Sequence, residues 1–239
     1  KNNISFRGVS NLDYGLISCR GLKNLTLYLS LEKKSKQKNL EQDFGFKNKS
    51  NLECLSLDII NFYLIGQSAF NLGSRLSKHT QLTSLILSLN YACLYDKRVS
   101  NLGQGIAKCQ NLQTMKLYLR LNYISDKGIS ELASGFVKCQ YLSSFLLDLR
   151  YNNITYKGIS DLCLALNAFF NLKNLKIYLS NNNIQDQGAL QLCSQLQKCL
   201  KLKYLSLCLK SNNIGKNCVK KVTHKTLKLV RLVKLKLKL

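Results

Sequence analysis

The chain has 239 residues, 46% of them in the hydrophobic class, which is ample for a core. Its 36 Lys+Arg against 12 Asp+Glu give a formal net charge of +24, an excess that repels itself and attracts anions: nucleic acid, acidic membrane or acidic protein surface. No run of about 18 apolar residues occurs, which argues against a transmembrane helix, and two histidines without a CxxC pair lack zinc-ligand spacing. The abundance of Lys, Asn, Ile and Tyr, with no Pro or Trp, fits AT-rich codon usage, yet that bias does not explain the scarcity of Asp and Glu.

In chain order, the sequence opens in mid-unit. Asn2 and Ile4 occupy a turn position that recurs later, so 1–239 reads as a fragment of something longer. Leu22, Leu25, Leu27 and Leu29 then set a pattern that returns every 30 residues. The first column runs Leu22, Leu52, Leu82, Leu112, Leu142, Leu172, Leu202 and Leu232. The second runs Leu25, Leu55, Leu85, Met115, Phe145, Leu175, Leu205 and Leu235. The third and fourth, from Leu27 to Leu237 and from Leu29 to Leu239, depart from Leu only at Ile177 and Ile59. The alternation L-x-L-x-L is that of a strand with one buried face.

Residues 31–49, LEKKSKQKNLEQDFGFKNK, keep the spacing and lose the turn signature. Lys33, Lys34, Lys36 and Lys38 stand where a turn and helix start belong; they read either as a solvated charged loop or as a basic projection toward an anionic partner. Residues 60–98 are degenerate too, with Ala92, Cys93 and Leu94 in place of the turn, so a rearranged turn is expected there.

Beyond them the units are regular. Asn122, Asn152, Asn182 and Asn212 are each followed two residues later by Ile124, Ile154, Ile184 and Ile214. An Asn here turns the chain off the strand, and its amide satisfies backbone groups the strand end leaves unpaired, so stacked Asn residues predict a ladder. Gly128, Ile129, Leu132, Phe136 and Cys139 then recur at helical spacing in the next two units. Each unit therefore reads strand, turn, helix, return. Adjacent strands are parallel, and because helices are wider than strands the stack curves with the sheet on its concave side.

The C-terminal stretch is one-sided in charge. No acid follows Asp186, while Lys220, Lys221, Lys225, Lys234, Lys236 and Lys238 form a basic patch that ends on the Lys-guarded edge strand VRLVKLKLKL. Cys19, Cys109, Cys139 and Cys199 share one repeat position, and Cys163 and Cys193 another. They read as small buried thiols, which places the chain in an intracellular, reducing compartment: cytoplasm, or a nuclear or organelle assembly.

Residues 172–199, LKNLKIYLSNNNIQDQGALQLCSQLQKC, resemble the ribonuclease-inhibitor-like class of leucine-rich repeats, and the resemblance extends along essentially the whole chain. It implies an α/β leucine-rich-repeat solenoid, a curved horseshoe segment with a parallel β-sheet on the concave face and helices on the convex face. About eight 30-residue repeats would make residues 1–239 one domain. The unit exceeds the usual ~20–29 residues by one extra x-L step in the strand, which preserves pleat parity.

The side chains between the strand leucines face the concavity. Tyr28, Lys116, Tyr118, Arg120, Arg150, Lys176, Tyr178 and Lys210 interleave Tyr with cations, a combination enriched at binding hot spots. Asp58 and Asp148 share a column with the tyrosines and would repel phosphates, which favours a protein ligand. No catalytic set stands out. His79 takes the Cys109 position and reads as structural, Gly103-Gln104-Gly105 lacks the rest of a phosphate loop, and the sequons at Asn3, Asn24, Asn48 and Asn153 read as chance matches. The expectation is a non-catalytic scaffold without metal or cofactor, binding a protein partner with an acidic surface and inserting in no membrane. The alternatives are a nucleic-acid-binding or ribonucleoprotein component, or a regulatory array of a larger, for example kinase-linked, protein.

Overall fold

The leucine columns are the strands. In the computed structural model, which describes residues 3–4, 8, 11–12, 15–16, 19, 21–31, 51–60, 71–229 and 231–239, burial alternates along them as their spelling requires. Leu85 and Leu87, Met115 and Leu117, and Leu205 and Leu207 are buried while their neighbours are not. The strands are β1 (Asn3–Ile4), β2 (Asn24–Leu31), β3 (Cys54–Ile60), β4 (Ser84–Ser88), β5 (Thr114–Tyr118), β6 (Ser144–Asp148), β7 (Asn174–Tyr178), β8 (Tyr204–Cys208) and β9 (Lys234–Lys238). Among the described residues they form one parallel sheet in sequence order, without a crossover. Between them lie α1 (Asn71–Leu76), α2 (Asp96–Ile106), α3 (Asp126–Phe136), α4 (Tyr156–Leu166), α5 (Gln185–Lys198) and α6 (Lys216–Leu227). Strand and helix alternate in an open α/β solenoid, with the sheet on the concave side and the helices on the convex side.

Each Leu column is one residue per strand in direct register, as in Met115 opposite Phe145 and Phe145 opposite Leu175. The core is thus a continuous rod between sheet and helices, in which each buried Leu contributes roughly 1.5–3 kcal/mol against the entropy of ordering. Phe136, Phe145 and Phe169 make an edge-to-face chain inside it, with ring centroids 5.2 and 5.4 Å apart. The strand lengthening read from the sequence is visible in the ladder. Beyond the end of β5, the Leu119 amide still donates to the Asp148 carbonyl (2.8 Å), and the Leu121 amide to the Arg150 carbonyl (2.9 Å).

The Asn ladder is present. Asn152 Nδ2 donates to the carbonyls of Leu149 (3.0 Å) in its own unit and Leu119 (3.0 Å) in the preceding one, and its Oδ1 accepts from the Ile124 amide at 3.0 Å. Asn182 repeats this with Leu179, Leu149 and the Ile154 amide, and Asn212 with Leu209, Leu179 and the Ile184 amide. To swing these side chains inward the preceding residues, Leu121, Tyr151, Asn181 and Ser211, adopt left-handed φ of 55–58°, a cost of roughly 1–2 kcal/mol each that the bonds offset. At the degenerate turn Ala92 fills the ladder position with a methyl group, its amide bonds Asn122 Oδ1 at 3.0 Å, and Cys93 turns left-handed at φ 48°.

Two expectations are corrected. Ile4 is a strand residue, not a turn residue: β1 pairs Asn3 with Ser30 and Ile4 with Leu31, an offset of 27 where the other strand pairs keep 30. β2 runs on to Leu31 and offers its end for this pairing. Cys19 is exposed rather than buried, whereas Cys109, Cys139 and Cys199 at the same repeat position are buried. Asn2, Phe46 and the whole of 32–50 lie outside the described residues.

A helix–helix seam went unread in the sequence. A Cβ on Gly135 of α3 would lie 2.2 Å from the Gly103 carbonyl oxygen of α2, and one on Gly105 would lie 2.1 Å from that of Gly73 in α1. These helices pack backbone to backbone. The equivalent position becomes Ala165 in α4 and the buried Gln195 in α5, whose amide donates to Asn167 Oδ1. Gly135→Ala is expected to destabilise the fold by about 2–3 kcal/mol through this backbone clash. Gly215→Ala, where the nearest atom is 3.5 Å away, should stay within about 1 kcal/mol. Urea titrations of the two variants check the contrast.

Candidate binding face

The concave sheet face carries the sequence-predicted residues in rows across the strands. One row reads Lys116, Leu146, Lys176, Ser206 and Lys236, each opposite the next. A second reads Tyr118, Asp148, Tyr178, Cys208 and Lys238. Tyr28 stands apart on β2, 71% exposed. Arg120, Arg150 and Lys210 follow the ends of β5, β6 and β8. The structure thus brings Lys116, Tyr118, Arg120, Arg150, Lys176, Tyr178 and Lys210 onto one face of adjacent strands and leaves Tyr28 three strands away from Tyr118.

The cations on this face differ in how far they are committed. Arg150 grips Asp148 with two parallel bonds, Nε to Oδ1 at 2.8 Å and Nη2 to Oδ2 at 2.5 Å, and its guanidinium lies 5.5 Å from the Tyr178 ring centroid. The hydrogen bonds to Asp148 raise the Arg150 pKa, and the two side chains form an ion pair. The buried Asp148 therefore presents no free negative charge, and its expected repulsion of phosphates does not arise. Arg120 lies over the Tyr151 ring at 4.9 Å, and its buried Nε has no hydrogen-bond partner among the described residues. Burial, with Tyr178 and Asp148 nearby, raises the Tyr118 phenol above its usual pKa. Lys116 and Lys176 have no ion pair among the described residues.

A concave depression of about 400 Å³ runs across β5 to β9, walled by Tyr178 and Tyr204, with Leu146 on its floor and Lys116, Lys176, Lys234 and Lys236 around it; no acid lines it. The C-terminal basic patch is accordingly split. Lys234, Lys236 and Lys238 belong to the strand side, while Lys220, Lys221 and Lys225 ride on the convex α6, where Lys225 Nζ donates to Ser194 Oγ at 3.1 Å. The patch read as one surface is two because a strand and a helix of the same unit face opposite sides. Lys33, Lys34, Lys36 and Lys38 lie outside the described residues.

A second ladder escaped the sequence reading. Asp96 accepts from the amide (2.9 Å) and hydroxyl (2.5 Å) of Ser125 one unit on, and Asp126 accepts from the Thr155 amide (2.7 Å) and hydroxyl (2.6 Å). Asp186 accepts from the Gly215 amide at 2.8 Å. The signal was present as Asp96, Asp126 and Asp186 at multiples of 30, with Ser125 and Thr155 preceding their helices. Three of the chain's 12 acids are thereby used in the convex turns, while no acid lines the concave depression.

His79 is buried, and burial lowers its pKa, so it is neutral. Among the described residues no group of three or more His, Cys, Asp or Glu is placed to hold a metal ion, and no helix is long and apolar enough to cross a membrane. A family model described as Leucine Rich repeat matches residues 146–163 and 172–193. A search of curated proteins gives no match. Among solved structures the chain is similar to leiomodin-1 actin-binding site 2, with TM-score 0.49, 16% identity, and coverage of 66% of this chain and 87% of that one. It is also similar to an internalin (inlF) from Listeria monocytogenes, with TM-score 0.21, 14% identity, and coverage of 77% and 80%. The repeat register gives an α/β solenoid fold of the leucine-rich-repeat type, and two of its units carry the family match.

The repeated cysteines test the burial pattern chemically. Burial pushes the Cys109, Cys139 and Cys163 thiols up to about 12, and hydrogen bonds from Cys109 Sγ to the Leu76 carbonyl (3.3 Å) hold the protonated form in place. At pH 8 a thiol reagent is expected to label Cys19 rapidly and these three only after denaturation. A raised folded-state pKa leaves the stability contribution intact below the unfolded thiol value and removes it as pH climbs toward 12. Cys139→Ala should therefore flatten the fall in stability above pH ~9; an unchanged slope would refute the buried thiol.

Proposed function

We propose that this chain is a non-catalytic protein-interaction scaffold that binds a protein partner, acidic in its contact surface, through the concave sheet face. One observation carries the reading. Parallel sheets in α/β proteins are ordinarily covered on both faces, and here one face is covered by helices while the other is open and lined with Tyr, Arg and Lys. Tyr178 and Arg150 are held rigid by one another, so their side-chain entropy cost is already met before a partner arrives. Lys116, Lys176 and Lys210, none of them in an ion pair among the described residues, supply the charge that steers an acidic surface. The helical convex half supports placement in the ribonuclease-inhibitor-like class, with residues 1–239 as one repeat domain. Buried free thiols support a reducing, intracellular setting.

The test uses charge reversal at unpaired cations only, because Arg150→Glu would set two acids against each other. Lys116→Glu/Lys176→Glu/Lys210→Glu is expected to cut retention of partner proteins from cell lysate by about tenfold or more, read by quantitative mass spectrometry. Lys220→Glu/Lys221→Glu on convex α6 should leave the retained set unchanged. Equal losses in both variants would mean that net charge, not the concave face, governs capture.

A further inference from the structure

The proposal that follows rests on the concave face being the binding face, and it names what that face is shaped to take. Lys116, Lys176 and Lys236 stand on alternate strands, β5, β7 and β9, in one register row, with Leu146 and Ser206 between them. Hydrogen-bonded strands lie about 4.8 Å apart, so the lysine attachment points recur about every 9.5 Å along the solenoid axis. No acid lines the depression. The Asp148 carboxylate, opposite Tyr178 in the neighbouring row, is closed off by Arg150.

We propose that this depression holds an extended acidic peptide in polyproline II conformation, lying across the strands, with a carboxylate at every third residue. Polyproline II has three residues per turn and rises about 3.1 Å per residue, so every third side chain returns to one face after about 9.3 Å. That matches the lysine row. A β-extended peptide repeats on one face at about 6.7 Å or 13.4 Å, and matches neither.

Leu146 and the tyrosine walls receive the two intervening residues of each turn, and Ser144, Asn174 and Ser206 offer hydrogen bonds to a backbone that has none of its own. Single-stranded nucleic acid fits less well. It carries a phosphate at every nucleotide, more closely spaced than the lysine row, so phosphates between the lysines are left unpaired. Arg150 also already stands over one face of the Tyr178 ring, which leaves less of it for stacking a base.

The experiment uses the full chain and three synthetic ten-residue peptides of identical composition, each with three Glu: at every third residue, at every second residue, or contiguous. A ten-nucleotide oligothymidylate is the fourth probe, and affinities are read by fluorescence anisotropy. The every-third peptide is expected to bind at least about tenfold more tightly than either isomer. Lys116→Glu/Lys176→Glu/Lys236→Glu should abolish this preference and Lys220→Glu/Lys221→Glu should preserve it. A neutral Lys116→Gln/Lys176→Gln/Lys236→Gln variant, with circular dichroism on every variant, separates lost binding from lost fold. Equal affinity for the three isomers, no binding of any, or tighter binding of oligothymidylate overturns the proposal. If oligothymidylate binds and the concave triple reversal removes it, the occupant is wrong and the concave face stands; if peptide binding is lost only in the α6 variant, both readings fall.

Discussion

The carboxamide of each ladder asparagine is bonded on both sides of a repeat boundary, and the solenoid depends on that. Asn152 closes the end of its own strand, takes up a carbonyl of the strand before it and anchors the amide of Ile124. A buried turn without such partners would strand several backbone groups away from water, at roughly 1–3 kcal/mol each. The left-handed residue before each Asn is tolerated because these bonds offset it. Parallel strands need a connection that leaves the sheet and returns. The ladder fixes where the chain leaves, so every following helix starts at the same depth.

Once departure is fixed, the two sides of the stack are set by different contacts. On the sheet side strand spacing is uniform. On the helix side Gly73, Gly103, Gly105 and Gly135 let α1, α2 and α3 approach through their backbones, and bulkier Ala165 and Gln195 follow. The Asp96 and Asp126 ladder ties each helix start to the next unit's capping residue, so neighbouring helices cannot slide. The convex side is closed and hydrogen-bonded, and it uses acids to be so. The concave side is left open, with cations in rows at strand spacing.

The repeat, its strand, its ladder and its helical face were legible because each is written at a fixed spacing of 30 residues. The concave residues were legible for the same reason, since alternation assigns Lys116 or Tyr178 to the solvent side wherever the neighbouring leucines are buried. Pairing was not legible. Arg150 and Asp148 are two residues apart on one strand face, and nothing in their spacing says that the guanidinium folds back rather than outward. The unity of the C-terminal patch also failed, because linear proximity ignores the opposed faces of helix and strand. The Ile4 turn failed because β1 pairs with the end of β2 at an offset of 27 rather than 30. The glycine seam was visible as residues but read only as helix-face positions, since close approach depends on the neighbouring unit.

The ladder itself is tested most directly by Asn152→Ala, followed by urea denaturation and amide hydrogen exchange. Removal of the carboxamide leaves the Leu119 and Leu149 carbonyls and the Ile124 amide without their partner. The expected loss is about 3 kcal/mol or more, with exchange accelerated at Ile124 and in both flanking units. A loss under about 1 kcal/mol, with Ile124 still as protected as the strand amides, would contradict the claim that the ladder holds the repeats together.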